Sequence, residues 1–249
     1  MMLLFHPEPR LSNVTYKRGQ VEWALWRAFT LARSPGDGPP PIFRTRIKRL
    51  LDLDRGLDTA GLGSPPPSAF AFVEPAEGGS GVEAQYTPFD AFCLAIALDL
   101  LEVGFKQGEI VLLMRHLRNM LADWFDDLLK RPSLIDRQSH LAKHHPNLPA
   151  LERSGSRAPI ADARVFLILN RIEMTELMPA MQSRPGQAVF LEPEVCEGIA
   201  HLQQRLDALI PHHRRTVITT EIATTAQAVA AFLDAAPLVP RGRPRRQQA

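Results

Sequence analysis

The chain has 249 residues, 45% apolar and 7% aromatic, with 22 prolines and only 2 cysteines, which fits one large or two small cores and excludes wholesale disorder. Two cysteines, Cys93 and Cys196, exclude a disulfide framework and predict a reducing, intracellular compartment. The longest apolar run, 91–98, falls far short of the roughly 20 residues of a membrane span, and the first five residues lack the basic flank of a signal peptide.

Net charge is only +2, but it is unevenly placed. Residues 1–49 carry 9 basic and 3 acidic groups (+6), 241–249 carry 4 and none (+4), and 50–240 carry 16 and 24 (−8). Basic ends around an acidic middle predict an anionic partner that touches particular segments, nucleic acid first.

In chain order, 21–32 has helical period, with Val21, Ala24, Leu25, Ala28, Phe29 and Ala32 on one face and Trp23 and Trp26 off it, free to pack a second neighbour. The breaker run 34–41 is a loop. Residues 42–55 form a helix that puts Phe43, Ile47, Leu50 and Leu51 inward and Thr45, Lys48, Arg49 and Asp52 outward. Stretches 69–74 and 82–87, rich in β-formers, predict a β-hairpin. Thr87 then caps a helix, with Pro88 in its first turn and Asp90 at its third position. The apolar stripe from Phe89 to Leu101 ends at Gly104, a left-handed C-cap. A second helix over 107–130 buries Ile110, Leu113, Met114, Leu117, Leu121, Trp124 and Leu128.

Four prolines in 132–162 mark a linker with one short helix over 134–145. Beyond it, strands over 163–172, 188–191 and 215–220 alternate with helices over 194–210 and 222–235. The expected organisation is a mainly α chain with small β elements. It comprises a winged helix-turn-helix domain over 1–131, the linker, a small α/β module over 163–237, and a basic tail over 238–249.

The order helix, loop, basic helix, hairpin, capped helix, Gly, helix is that of a winged helix-turn-helix. In such a fold the second helix offers arginine and lysine to phosphates and base edges in the major groove, and the hairpin reaches a neighbouring groove. The residues expected to touch DNA are Arg44, Thr45, Arg46, Lys48 and Arg49. The bland alternative is a basic face that is merely solvated.

The run Arg44-Thr45-Arg46-Ile47-Lys48-Arg49-Leu50-Leu51 resembles the recognition helix of the MerR family of transcription regulators. Tyr86-Thr87-Pro88-Phe89-Asp90, followed by Leu100-Leu101-Glu102-Val103-Gly104-Phe105-Lys106-Gln107-Gly108-Glu109-Ile110, resembles that family's helices after the wing. The resemblance covers about half the chain, roughly residues 17–125, and implies a homodimer on a palindromic or near-palindromic promoter site. The chain departs from the family in its 34–41 insertion, its longer wing, and Gln107 where a capping serine is usual. It also lacks an evident long dimerisation helix and cysteine metal loop, so metal-dependent activation is not implied.

The tail is a separate signal. Pro240-Arg241-Gly242-Arg243-Pro244-Arg245-Arg246 resembles an AT-hook, in which Gly242 would admit close approach to the minor-groove floor while Arg241 and Arg243, held by Pro244, extend along an A-tract. A generic basic tail, or a protease-site-like linker over 238–242, is the alternative; even that would add salt-dependent DNA affinity.

Catalytic patterns are weak. Asp52 and Asp54 point about 200° apart on a helix, so with Asp58 they do not converge, and pairing with Arg49 or Arg55 is their simpler role. His140, His144 and His145, or His212 and His213, are further candidate ligands; His140 and His144 share a face at i, i+4, but the glutamate of a metalloprotease motif is absent. Cys93 lies on an apolar stripe and is expected to pack. The reading is therefore a non-enzymatic, DNA-binding regulator with no cofactor or metal, in the cytoplasm with the nucleoid. It is expected to be a homodimer, with 163–237 either oligomerising or sensing an unidentified small-molecule effector. The alternative is a protein-interaction adaptor whose basic ends only keep it in solution.

Overall fold

The computed structural model describes residues 14–30, 38–57, 68–74, 84–131, 162–172, 189–190, 193–208 and 215–237. These form six helices, α1 (Arg18–Phe29), α2 (Pro41–Gly56), α3 (Pro88–Glu102), α4 (Gln107–Lys130), α5 (Gly198–Ala208) and α6 (Ala223–Asp234). Six strands accompany them, β1 (Tyr16–Lys17), β2 (Gln85–Tyr86), β3 (Val165–Ile172), β4 (Val189–Phe190), β5 (Glu194–Glu197) and β6 (Arg215–Glu221). The protein is mainly helical with small antiparallel sheets. The short helix expected over 134–145, the wing tip and the AT-hook-like tail lie outside the described residues.

Helix α3 is the hub, and its composition explains why. It is apolar on nearly every face, and a helix without a polar side must be surrounded; from Ala91 to Leu98 every residue is buried. Its start is fixed by a reciprocal capping box: Asp90 N–H donates to Thr87 Oγ1 at 3.1 Å, and Thr87 N–H donates to Asp90 Oδ2 at 2.8 Å. Gly104, at φ 95°, closes its end, while Phe105 N–H reaches back to Leu100 O at 3.2 Å. Helix α4 then covers one side with Ile110, Met114, Leu117, Leu121 and Leu128, as its period predicts, plus Phe125 against Phe92 at 5.3 Å. Trp124 is only half-buried. Cys93 is fully buried, and burial pushes its thiol up to about 12, consistent with a packing role.

Helix α1 begins three residues before the apolar stripe does. Gln20, at its third position, accepts Lys17 N–H at 3.0 Å, so the first turn is capped from inside. Both tryptophans off its stripe do find neighbours: Trp26 meets Phe43 of α2 at 5.3 Å, and Trp23 meets Phe232 of α6 at 6.3 Å, each edge to face.

The expected hairpin between 69–74 and 82–87 does not form. Residues 68–74 hold no strand, and β2 pairs instead with β1, Tyr86 opposite Tyr16. The backbone donors of 71–72 are taken by a side chain rather than by a ladder. Asp54 accepts Ala71 N–H at 2.9 Å and Phe72 N–H at 3.2 Å, while Arg118 donates to Ala71 O at 3.0 Å and Phe72 O at 2.7 Å. The expected pairing of Asp54 with Arg49 or Arg55 is corrected accordingly: its partner is Arg115 of α4, at 2.9 Å, whereas Asp52 does pair with Arg55, at 3.6 Å.

In the second half, β3 is the central strand, antiparallel to β6 on one side and to β5 and β4 along the other. Strand alternation sends Val165, Leu167 and Leu169 to the main core and Phe166 and Ile168 to a smaller cluster with Cys196 and Leu202. The helix expected over 194–210 starts four residues late. Residues 194–197 are strand β5, and Gly198, at φ 74°, turns the chain into α5. Asp162 receives that helix's first turn, its Oδ2 accepting Ile199 N–H at 2.9 Å.

The hydrophobic core crosses the boundary drawn between 1–131 and 163–237. Helix α6 packs on α1, α3 and α4, and its Ala223, Ala226, Val229 and Leu233 join one cluster with α3. Polar ties reinforce it: Gln227 Nε2 donates to Leu128 O at 3.1 Å and Arg131 O at 2.9 Å, satisfying free carbonyls at the end of α4. Tyr16 O–H donates to Asp234 at 3.0 Å, and burial with that carboxylate raises the Tyr16 hydroxyl to about 12. No described helix is long and apolar enough to cross a membrane.

Candidate nucleic-acid interface

Helix α2 has the two faces its sequence implies. Phe43, Ile47, Leu50, Leu51 and Asp54 are buried, and Thr45, Lys48, Arg49 and Asp52 are exposed. Pro41 in its first turn suits the helix start, since the N–H that proline lacks would have no intrahelical partner there. Residues 44, 48 and 55 fall on one flank at helical spacing, and 42, 46, 49 and 53 fall on the other.

The five residues of α2 expected to touch DNA are not equivalent. Lys48 and Arg49 are exposed and make no hydrogen bond or ion pair among the described residues. Thr45 is exposed, but its hydroxyl donates to Pro41 O at 2.8 Å. Arg46 is ion-paired with Glu102 at the end of α3, and Arg44 lies 3.8 Å from Glu22 of α1. Two of the four cations are thus tied to acids of neighbouring helices. Arg241, Gly242, Arg243 and Pro244 lie outside the described residues.

Two basic residues outside the set expected to touch DNA join this flank. Arg18, at the start of α1, bonds Glu22 Oε1 at 2.7 Å and extends Nη2 to Arg44 O at 3.5 Å. Arg55, on the same flank of α2 as Arg44 and Lys48, pairs with Asp52 at 3.6 Å, and it and Arg18 both act electrostatically on the hydroxyl of buried Tyr86. Burial raises that hydroxyl's pKa, and the two guanidiniums pull it back down. The i,i+4 spacing of Arg18 and Glu22 is visible in the chain; their meeting with Arg44 depends on the packing of α1 on α2.

Elsewhere, an open cavity of about 470 Å³ lies between Trp124 of α4, strand β5 and the His201–Arg205 turn of α5. Its main charges are internally matched, Glu194 with Arg205 and Glu197 with Arg131 at 2.9 Å. Among the described residues no three His, Cys, Asp or Glu side chains are grouped to hold a metal ion. Asp52 and Asp54 in particular point to opposite sides of α2, one exposed and one buried. No family model, curated protein or solved structure matches the chain.

Proposed function

We propose that the chain is a non-enzymatic regulator that binds duplex DNA through a helix-turn-helix of MerR type built on α1 and α2, in which the expected wing hairpin is replaced by the β1–β2 pair. In this reading α2 enters the major groove, and the tail residues Arg241, Gly242, Arg243 and Pro244 lie in an adjacent minor groove. The observation that carries the reading is the pair Lys48 and Arg49, exposed on the outer face of α2 without partners among the described residues. An unpaired Lys and Arg on one exposed helix face give a local positive field that would attract a polyanion. Two further features support it. The β1–β2 pair fastens the chain ahead of α1 to the segment that leads into α3, and the buried Asp54 ties α2 to residues 71–72.

A homodimer on a two-fold site and residence with the nucleoid in the cytoplasm follow from the same reading, and the cavity beside Trp124 is the candidate effector site. The test is fluorescence anisotropy with random, AT-rich and GC-rich duplexes over a salt series. It compares the full chain, a form ending at Leu238, and the Lys48→Gln/Arg49→Gln double variant. The double variant should lower the slope of log affinity against log salt by about 1.8, some 0.9 for each phosphate that is no longer neutralised. The shortened form should lose AT preference. No binding at low salt by the full chain overturns the reading in favour of a protein-interaction adaptor.

A further inference from the structure

Glu22 is an acid in an unusual position for a basic surface. Its side chain is only 9% exposed, yet two guanidiniums from different helices converge on it, Arg18 Nε at 2.7 Å and Arg44 Nε at 3.8 Å. One buried carboxylate therefore faces an excess of positive charge. The two arginines remain 34% and 55% exposed, and each carries five N–H donors of which Glu22 can use only a part.

A carboxylate so placed either neutralises the arginines or orients them. Neutralising needs no burial and no second arginine. Orienting is favoured by burial, because a shielded acid that bonds Arg18 at 2.7 Å and lies 3.8 Å from Arg44 restrains where the two forks sit and so lowers the ordering cost when an anion arrives. Apart from the Arg18 Nη2 donor that reaches Arg44 O at 3.5 Å, these partly exposed forks leave donors without a protein partner among the described residues, beside the flank of α2 that carries Arg44 and Lys48. We infer that Arg18 and Arg44 form a clamp for a phosphodiester oxyanion of a duplex backbone, with Glu22 as its positioning residue. The identity of the ligand rests on the DNA-binding reading; the clamp itself rests on the geometry around Glu22. It brings the first turn of α1 to the nucleic acid as a sequence-independent anchor that fixes how α2 is seated.

The test uses the full chain with two probes, a mixed-sequence duplex over a salt series and inorganic pyrophosphate followed by thermal unfolding. Long-range electrostatics alone requires that Glu22→Gln, which removes a negative charge, tighten duplex binding. The clamp requires the opposite, a weakening of roughly 3- to 10-fold, as for one charge-assisted bidentate interaction. Arg18→Gln should lower the salt slope by about 0.9, equally on AT-rich and GC-rich duplexes. Arg18→Lys guards against a folding artefact, because it keeps the charge and a partner for Glu22 while removing the fork. It should keep the wild-type unfolding midpoint and still bind duplex more weakly.

Tighter binding by Glu22→Gln, an unchanged slope in Arg18→Gln, or unchanged affinity in Arg18→Lys each overturns the clamp. If the wild type binds no duplex, the DNA reading fails and pyrophosphate decides the clamp. Stabilisation of the wild type but not of Arg18→Lys supports an oxyanion site, and equal stabilisation, or none, overturns it.

Discussion

Asp54 of α2 and Arg115 of α4 form an ion pair whose side chains are only 3% and 4% exposed, and that pair holds residues 71–72 against α2. Arg115 gives one donor from each of its other two nitrogens to the carbonyls of Asp54 and Leu57, and Asp54 also accepts from the backbone of Ala71 and Phe72. Every charged atom is thus matched, the condition under which a buried pair offsets its desolvation. Removing one partner should cost far more than the pair is worth: Asp54→Ala strands a buried guanidinium and should destabilise by about 3–5 kcal/mol in urea unfolding. The double replacement Asp54→Leu/Arg115→Met should recover most of that stability. Hydrogen exchange at Ala71 and Phe72 should accelerate in both, since neither restores their acceptor. A single-variant cost below about 1 kcal/mol would mean that water reaches the pair.

What is legible in the sequence is local. The Thr87–Asp90 cap, the Gly104 stop and the period of α4 each depend on residues within a few turns, and each lies where the chain places it. The hairpin expectation fails because residues 69–74 are β-formers whose apolar side chains, Ala71 and Phe72 among them, are used for the core, while their backbone is claimed by Asp54 and Arg118 from other helices. Strand β5 escapes a sequence reading because nothing within 194–197 marks it as strand. What defines it is the register against β3, Cys196 opposite Phe166. A division into two modules does not anticipate α6, whose small inward residues allow a close seat on helices far earlier in the chain. In the candidate interface the basic run of α2 is readable, but the acids that select among its cations, Glu22 and Glu102, become visible only when the helices are packed.

Asp99 gives the fold a pH dependence. Burial, and then the neighbouring Glu102, raise its carboxyl to about 6, and among the described residues no donor offsets the cost of its charge. A carboxyl raised in the folded state favours folding while it is protonated. Its contribution is full below the ordinary value of 3.8 and is lost as pH rises through about 6. Asp99→Asn should therefore raise the thermal midpoint at pH 7.5 by about 2–4 °C, allowing for the solvent that still reaches the group. The gain should vanish by pH 4. A pH-independent change would place the effect in packing rather than in ionisation.

Gly198 is required by both backbone and space. Its φ of 74° lies in the left-handed region, and a Cβ there would meet Asp162 Cβ at 3.3 Å. Gly198→Ala should cost about 1–2 kcal/mol from the backbone alone, and more if displacement of Asp162 uncaps α5. Chemical denaturation of this variant, compared with Asp162→Ala, separates the two contributions. A neutral Gly198→Ala would show that the turn from β5 into α5 relaxes freely. Gly104, also left-handed but with open space around its Cβ direction, should give only the backbone part.

Glu102 and Glu22 hold cations on the same surface in opposite circumstances, so neutralising them should have opposite consequences. The Arg46–Glu102 pair is open to solvent, its side chains 43% and 64% exposed, and such pairs contribute little to folding because water screens them. Glu102→Gln should therefore leave the unfolding midpoint nearly unchanged while freeing Arg46, on the flank of α2 that carries Arg49. Duplex affinity at low salt should rise roughly 2- to 5-fold, and the salt slope should steepen by about 0.9 if Arg46 then meets a phosphate. Glu22→Gln should instead weaken binding, because its arginines lose their orientation. If both variants bind more tightly, net charge alone governs this surface and orientation does not. If Glu102→Gln changes nothing, Arg46 faces away from the duplex, and the DNA-facing surface is confined to the side of α2 that carries Arg44, Lys48 and the outer edge of Arg49.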